Sequence, residues 1–344
     1  MQGNMMTSSR NRTLAALNWE LSRNEIIPRN LWKLPWADQK FPGEYDKLIS
    51  KYPDDITKAP EILKTPVSCR EGNPFDVGIS IDSWGCNFRN THRGIQGEVK
   101  TPLVNDWNDT SAVHFPVEML TLDILQVDTF CRNTQTFVRS PLCANPFERI
   151  QYIRGTENVL MDLALEESGL MDFLYRIHEL NLKICDVWSQ TKVDALFIMD
   201  DWGTQQSMLI NPQMWRKIFK PLYREYAVIA HNAGKKIFMH SDGNILDIYP
   251  DLIEIGIDAL NSQIFCIGVK NLAQFKGQIT FWGEMDRQHI LPDGTPEEIR
   301  SAVHLVYETL NSSGGLIAQC EFGPGANPEN IKILFDAWNQ MTNC

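Results

Sequence analysis

The stretch that decides the fold is Lys235-Lys236-Ile237-Phe238-Met239-His240-Ser241-Asp242-Gly243-Asn244. Three consecutive apolar residues, entered from lysines and left through a polar turn, read as a short buried strand. The strand ends on a histidine. The same pattern recurs on both sides of it. Val77–Ile81 leads into Asp82-Ser83-Trp84-Gly85, Thr136–Val138 into Arg139-Ser140-Pro141, and Ala195–Met199 into Asp200-Asp201-Trp202-Gly203. Further on, Ile257–Leu260 leads into Asn261, Gln278–Phe281 into Trp282-Gly283-Glu284, and Gly315–Ala318 into Gln319-Cys320-Glu321.

Amphipathic helices separate these strands. One spans Pro212–His231 behind an Asn211 cap. Another spans Pro296–Leu310, where Thr295 and Glu298 have the spacing of a capping box, and Pro328–Met341 closes the chain. Strand–helix alternation predicts parallel strands joined by crossovers. The expected fold is α/β, a (β/α)8 TIM barrel, with seven strands placed and an eighth still to be located. A doubly wound open sheet is the competing architecture, but no GxGxxG follows a strand to support a dinucleotide site. Residues 1–75 read as an N-terminal helical and irregular extension, with a helix over Asn11–Leu21 after Ser8-Ser9-Arg10. Residues 76–344 read as the barrel, the whole forming one domain.

The chain has 344 residues, 43% hydrophobic and 22% charged, enough for a large core. Its net charge of −11 argues against a nucleic-acid partner, which would require a concentrated basic surface. No apolar run is long enough to span a membrane, and Met1–Thr7 lacks the apolar centre of a signal peptide. The eight cysteines (69, 86, 131, 143, 185, 266, 320 and 344) are scattered with no CxxC pair. That usage fits reduced thiols and a cytoplasmic location.

Unusual residues fall just after the strands. In a barrel those ends converge on one face, which carries the chemistry. His240, Asp242, Glu284 and Cys320 supply the nitrogen, oxygen and sulfur donors that zinc takes in a tetrahedral shell. Trp84, Trp202 and Trp282 each follow a strand and either stack on a planar substrate or plug the barrel. Asp200 and Asp201 are neighbours, so only one can face the pocket. Asp200 is the catalytic candidate, as general base or as the partner of His240, with Asp82 a second. Arg139 is a candidate for binding a substrate carboxylate, and Asn261 a further substrate contact.

Several segments resemble the uroporphyrinogen decarboxylase superfamily. They are Thr7–Asn18, Pro146–Arg149 with Arg154–Asn158, Asp200–Gln205, His240–Asn244, Leu252–Asn261, Gly314-Gly315 and Asn327–Ile331. The resemblance implies a (β/α)8 barrel with its site on the C-terminal face. True uroporphyrinogen decarboxylases carry an arginine-rich FxRQAGRY-type segment and a His after the last strand. Neither is present here. The corrinoid-dependent methyltransferases of the superfamily hold zinc through a His-x-Cys pair and a Cys on the last strand. His240 and Cys320 match the first and last of these ligands, but Asp242 stands where Cys is usual. Related enzymes add a Glu on the following strand, where this chain has Gln263, leaving Glu284 as the substitute carboxylate.

Replacing thiolate by carboxylate makes zinc a harder Lewis acid, suited to the oxygen of a methyl ether. The resemblance therefore implies an O-demethylase component. It would move a methyl group from a small methoxylated, aromatic substrate to a corrinoid on a separate partner protein, with homodimerisation also expected. The alternatives are a cofactor-free decarboxylase of a small carboxylated substrate and a non-catalytic corrinoid- or ligand-binding barrel.

Overall fold

A computed structural model describes residues 8–21 and 25–341. The signal-peptide reading of Met1–Thr7 and Cys344 lie outside the described residues. Eight parallel strands form the barrel: β1 (Arg29–Lys33), β2 (Ile56–Lys58), β3 (Phe137–Ala144), β4 (Ala195–Met199), β5 (Lys236–Ser241), β6 (Ala259–Ser262), β7 (Thr280–Trp282) and β8 (Leu316–Phe322). From β2 to β8 each pairs with the next in the chain, and β1 pairs in parallel with β8, Leu31 opposite Cys320. β1 and β2 complete the circle, where the Asp55 N–H donates to the Arg29 carbonyl at 2.9 Å and the Asn30 side chain donates to the Ile56 carbonyl at 3.3 Å.

Two expectations are corrected. β1 and β2 both lie inside the stretch read as an extension, so the barrel begins at Arg29 rather than after residue 75. Val77–Ile81 is not a barrel strand. Its residues Gly78–Ile81 form a small antiparallel sheet with Asn87–Asn90 and Glu98–Val99. The remaining six expected strands are in the barrel. β1 and β2 are only five and three residues long, and β1 carries Arg29, Asn30 and Lys33. Their polarity hid them among the Pro- and Trp-rich text around them.

Strand alternation sorts side chains into two layers. Ile56, Phe137, Ala195, Phe197, Phe238, Ala259, Trp282 and Ile317 fill the barrel interior, with Leu14 and Leu17 of α1 (Ser9–Leu17) packed among them. α1 starts at an Ser8 cap that accepts from the Asn11 N–H, and ion pairs Arg10–Asp194 and Arg12–Asp55 clamp it against the strand starts. It thereby closes the N-terminal end of the barrel. The opposite set, including Leu196, Ile198, Met239, Leu260 and Phe281, faces the helices. These include α2 (Pro146–Arg154), α3 (Ser168–Ser189) and α4 (Pro212–Asn232). The capping box expected at Thr295 is formed, on the helix Pro296–Leu310. The last helix runs over Pro328–Gln340.

Candidate active site at the C-terminal mouth

Counting along the inward set gives the mouth. On β4 the inward residues are 195, 197 and 199, so the next is Asp201. On β5, Phe238 leads to His240 and then Asp242; on β6, Ala259 leads to Asn261. His240 is the centre of the cluster. Its Nδ1 lies 2.6 Å from Asn261 Oδ1, and the Asn261 amide donates to the Trp282 carbonyl. Since the amide nitrogen is used as a donor, Oδ1 must accept, and the proton on this side sits on His240 Nδ1. Nε2 is left facing Asp201 Oδ1 at 3.4 Å and Asp242 Oδ1 at 3.5 Å. Trp32 of β1 covers the imidazole with ring centroids 5.4 Å apart.

Nitrogen and oxygen donors of Asp201, His240 and Asp242 lie within 4.8 Å of one another. Burial disfavours charge on His240, but the hydrogen bond and charge of Asp201, with the charge of Asp242, outweigh it and raise its pKa to about 10. Without a metal the positive charge between the two carboxylates is the Nε2 proton of His240, and a divalent ion would take the place of that proton. Asp242 Oδ1 is buried without a hydrogen-bond partner. An imidazole fixed in the right tautomer, two carboxylates and an orphaned oxygen fit a divalent metal ion. Among the described residues this is the one group of three such side chains close enough to hold one.

A second shelf of acids surrounds the cluster. Arg287 pairs with Asp242 and lies 3.5 Å from Glu284 and 3.7 Å from Glu321. Burial pushes Glu284 up to about 8, against the opposing charge of Arg287. Its Oε2 has no partner. Glu148, from the first turn of α2, is pushed up to about 7 by burial and then by the charge of Asp201. Both hold a proton near neutral pH, so both can donate one.

The expected site residues divide sharply. His240 and Asp242 are where they were expected. Glu284 is at the mouth, beside Arg287 and outside the metal-ligating group. Cys320 is not at the mouth. Ile317, Gln319 and Glu321 take the inward positions of β8, so Cys320 points outward, fully buried among the helix-facing apolar residues. Burial there pushes its thiol well up, the reverse of what a metal ligand needs.

Asp200 also faces outward. Its carboxylate accepts the Phe147 and Glu148 N–H groups at 3.1 and 2.7 Å, capping α2, and accepts the Tyr223 hydroxyl. Asp82 sits in the turn between the first two strands of the small sheet, accepts from the Trp84 and Cys86 N–H groups, and pairs with Arg149. Of the three tryptophans, Trp202 is outside the barrel, stacked on Phe147 at 4.0 Å and bonded to Tyr223. Trp282 fills the interior, and Trp84 lines a neighbouring cavity. Asn261 orients His240. Arg139 reaches inward over the Phe197 ring at 4.2 Å.

Sequence reasoning did not single out Trp32, Glu148, Arg287 and Glu321, and of the Asp200-Asp201 pair it preferred the member that faces outward. The alternation running from Ala195 through Phe197 was a usable signal for Asp201. Nothing local marked the others.

The model of the family described as "Uroporphyrinogen decarboxylase (URO-D)" matches residues 74–341. The chain belongs to the URO-D family. The match takes in every mouth residue from Glu148 to Glu321, but not Trp32. The "methyltransferase from Methanosarcina mazei" is similar over the whole fold, with TM-score 0.66, 14% identity, and 97% of this chain and 98% of that one covered. Two other solved structures are more distant. The 3-keto-D-glucoside 4-epimerase of E. coli has TM-score 0.41 and 10% identity, over 66% of this chain and 86% of that one. Xylanase 10B of Thermotoga petrophila has TM-score 0.41 and 10% identity, over 98% of each chain. At these identities the likeness is one of fold. No curated protein matches the chain by sequence. No helix among the described residues is long and apolar enough to cross a membrane.

Proposed function

We propose that this URO-D family member is a metal-dependent methyltransferase. It takes a methyl group from the methyl–oxygen bond of a small methoxylated substrate and delivers it to the Co(I) of a corrinoid on a separate protein. The observation that carries this is the Asp201, His240 and Asp242 donor set at the C-terminal mouth, with Asp242 Oδ1 unpartnered. The likeness in fold to a methyltransferase agrees with it.

A divalent ion such as zinc, held by those three side chains, would supply Lewis acidity to the ether oxygen. A nitrogen and two carboxylate oxygens make a hard site, unlike one built on thiolates. The chain's own residues do the rest. Asn261 keeps the Nδ1 proton in place and so keeps Nε2 turned to the mouth. Trp32 and Trp282, with rings 5.2 Å apart, wall off water. As the carbon–oxygen bond breaks, the Co(I) electron pair takes the methyl group and the departing oxygen takes a proton, for which Glu284 is the placed donor. Arg287 spreads the negative charge of Asp242, Glu284 and Glu321. Reduced cysteines fit a cytoplasmic enzyme: all seven among the described residues are unpaired.

The test is anaerobic incubation of the metal-loaded chain with methoxylated aromatics and a Co(I) corrinoid, followed by the visible spectrum. Conversion of Co(I) to the methylated form, lost in Asp201→Asn, is the expected result. Release of carbon dioxide from a carboxylated substrate without methyl transfer would replace this reading by the decarboxylase.

A further inference from the structure

Beside the mouth lies a cavity of about 640 Å³. Its walls include Lys58, Arg70, Trp84, Arg139, Arg149 and Phe197. Four cations around one cavity are out of character for a chain of net charge −11. Two of them are neutralised in place: Arg70 bridges Glu61 at 3.3 Å and Arg149 pairs with Asp82. The other two have no carboxylate at bridging distance among the described residues.

Lys58 and Arg139 are direct partners in the β2–β3 register, so two like charges are held side by side. Both occupy inward positions, two residues beyond Ile56 and Phe137. The half-buried Arg139 guanidinium has one hydrogen bond, to the neighbouring Ser140 carbonyl at 3.0 Å, and lies over the faces of Phe197 and Trp282. Lys58 is exposed to the cavity. Its partly enclosed stem and the charge of Arg139 lower its pKa against the opposing charge of Glu61, and burial lowers that of Arg139 to about 10. Adjacent cations that repel each other, with Glu61 near Lys58 but no carboxylate among the described residues at bridging distance of either, complete their pairing with an anion that arrives from outside.

We infer that Lys58 and Arg139 bind a carboxylate of the substrate, with its planar body against Phe197 and Trp84. The Arg139 guanidinium presents a fork to the two carboxylate oxygens, and Lys58 adds a point charge. Packed side chains link this cavity to the metal-ligating group. Trp282, which lies 5.8 Å from Arg139, is 5.2 Å from Trp32, and Trp32 is 5.4 Å from His240. Two cations suit one carboxylate group, not the eight of a tetrapyrrole octa-acid. The substrate class is therefore a small aromatic carboxylic acid bearing a methoxy group. This deepens the proposed function and rests on it for the methoxy group, whereas the anion site stands on the cavity alone.

The experiment is isothermal titration of the full chain, kept metal-free with a chelator, against 4-methoxybenzoate, 4-methoxybenzamide and phenyl phosphate. The expected result is a carboxylate preference over the amide of about ten-fold or more, lost in both Lys58→Met and Arg139→Met. Lys58→Met, at an exposed position, is expected to keep or raise Tm without ligand, because it removes like-charge repulsion. A residue serving stability alone would lower it. Equal binding of acid and amide, unchanged preference in Lys58→Met, or preference for phenyl phosphate would each overturn the assignment. Because neither metal nor corrinoid is present, a failure of methyl transfer with this preference intact would count against the proposed reaction and not against this site.

Discussion

Asp200 and Asp201 are adjacent in the chain and lie on opposite sides of the barrel wall. The Asp200 carboxylate caps α2 and accepts the Tyr223 hydroxyl, whereas Asp201 faces Nε2 of His240 across 3.4 Å. One carboxylate holds a helix to a strand and its neighbour faces the mouth.

The two should separate in the laboratory. Asp200→Ala leaves two N–H groups and a hydroxyl buried without a partner, and is expected to cost about 3 kcal/mol in urea unfolding. Asp201→Asn is expected to change stability by less than about 1 kcal/mol while abolishing methyl transfer. If Asp200→Ala were stable and inactive instead, the assignment of roles would be reversed.

Cys320 provides a second separation. It packs in the helix-facing layer, so Cys320→Ala removes a small buried side chain at a cost of about 1 kcal/mol. Metal content should be unaffected. Loss of metal in this variant would show that β8 turns its thiol to the mouth, and the strand alternation described above would then be wrong.

The acids at the mouth make a pH prediction. Burial raises Glu284 to about 8 and Glu148 to about 7, and away from the mouth, before the start of β2, it raises Asp54 to about 7. In the unfolded chain such groups lose their proton near pH 4. Between these values the folded state holds protons that the unfolded state has released, so stability is greatest at the acid end of the window and falls as pH rises. Glu284→Gln is neutral at every pH and should flatten this fall by up to about 1.4 kcal/mol per pH unit. Urea midpoints of metal-free protein between about pH 5 and pH 8 measure it. Parallel curves for the two proteins would mean that Glu284 is ionised throughout.

The barrel was legible in the sequence because six of its strands are apolar runs that end in polar turns. β1 and β2 were not, because their pairing is dictated by Asp54, Asp55 and Asn30 contacts made only in the folded chain. His240 and Asp242 could be found because they share one strand with a clear apolar phase. Cys320 misled because a thiol at a strand end looks like a ligand until the phase of β8 is known. Arg287 and Glu148 come from loop and helix starts, where no periodicity reports direction. Lys58 becomes informative only once its register with Arg139 places two cations together.

The central claim is the metal site of Asp201, His240 and Asp242, and elemental analysis of protein purified with added divalent zinc tests it most directly. The account predicts about one ion per chain in the natural protein and in Cys320→Ala, and none retained in His240→Ala or Asp242→Asn. Protein that binds no ion, or that keeps its ion in both of those variants, would contradict it.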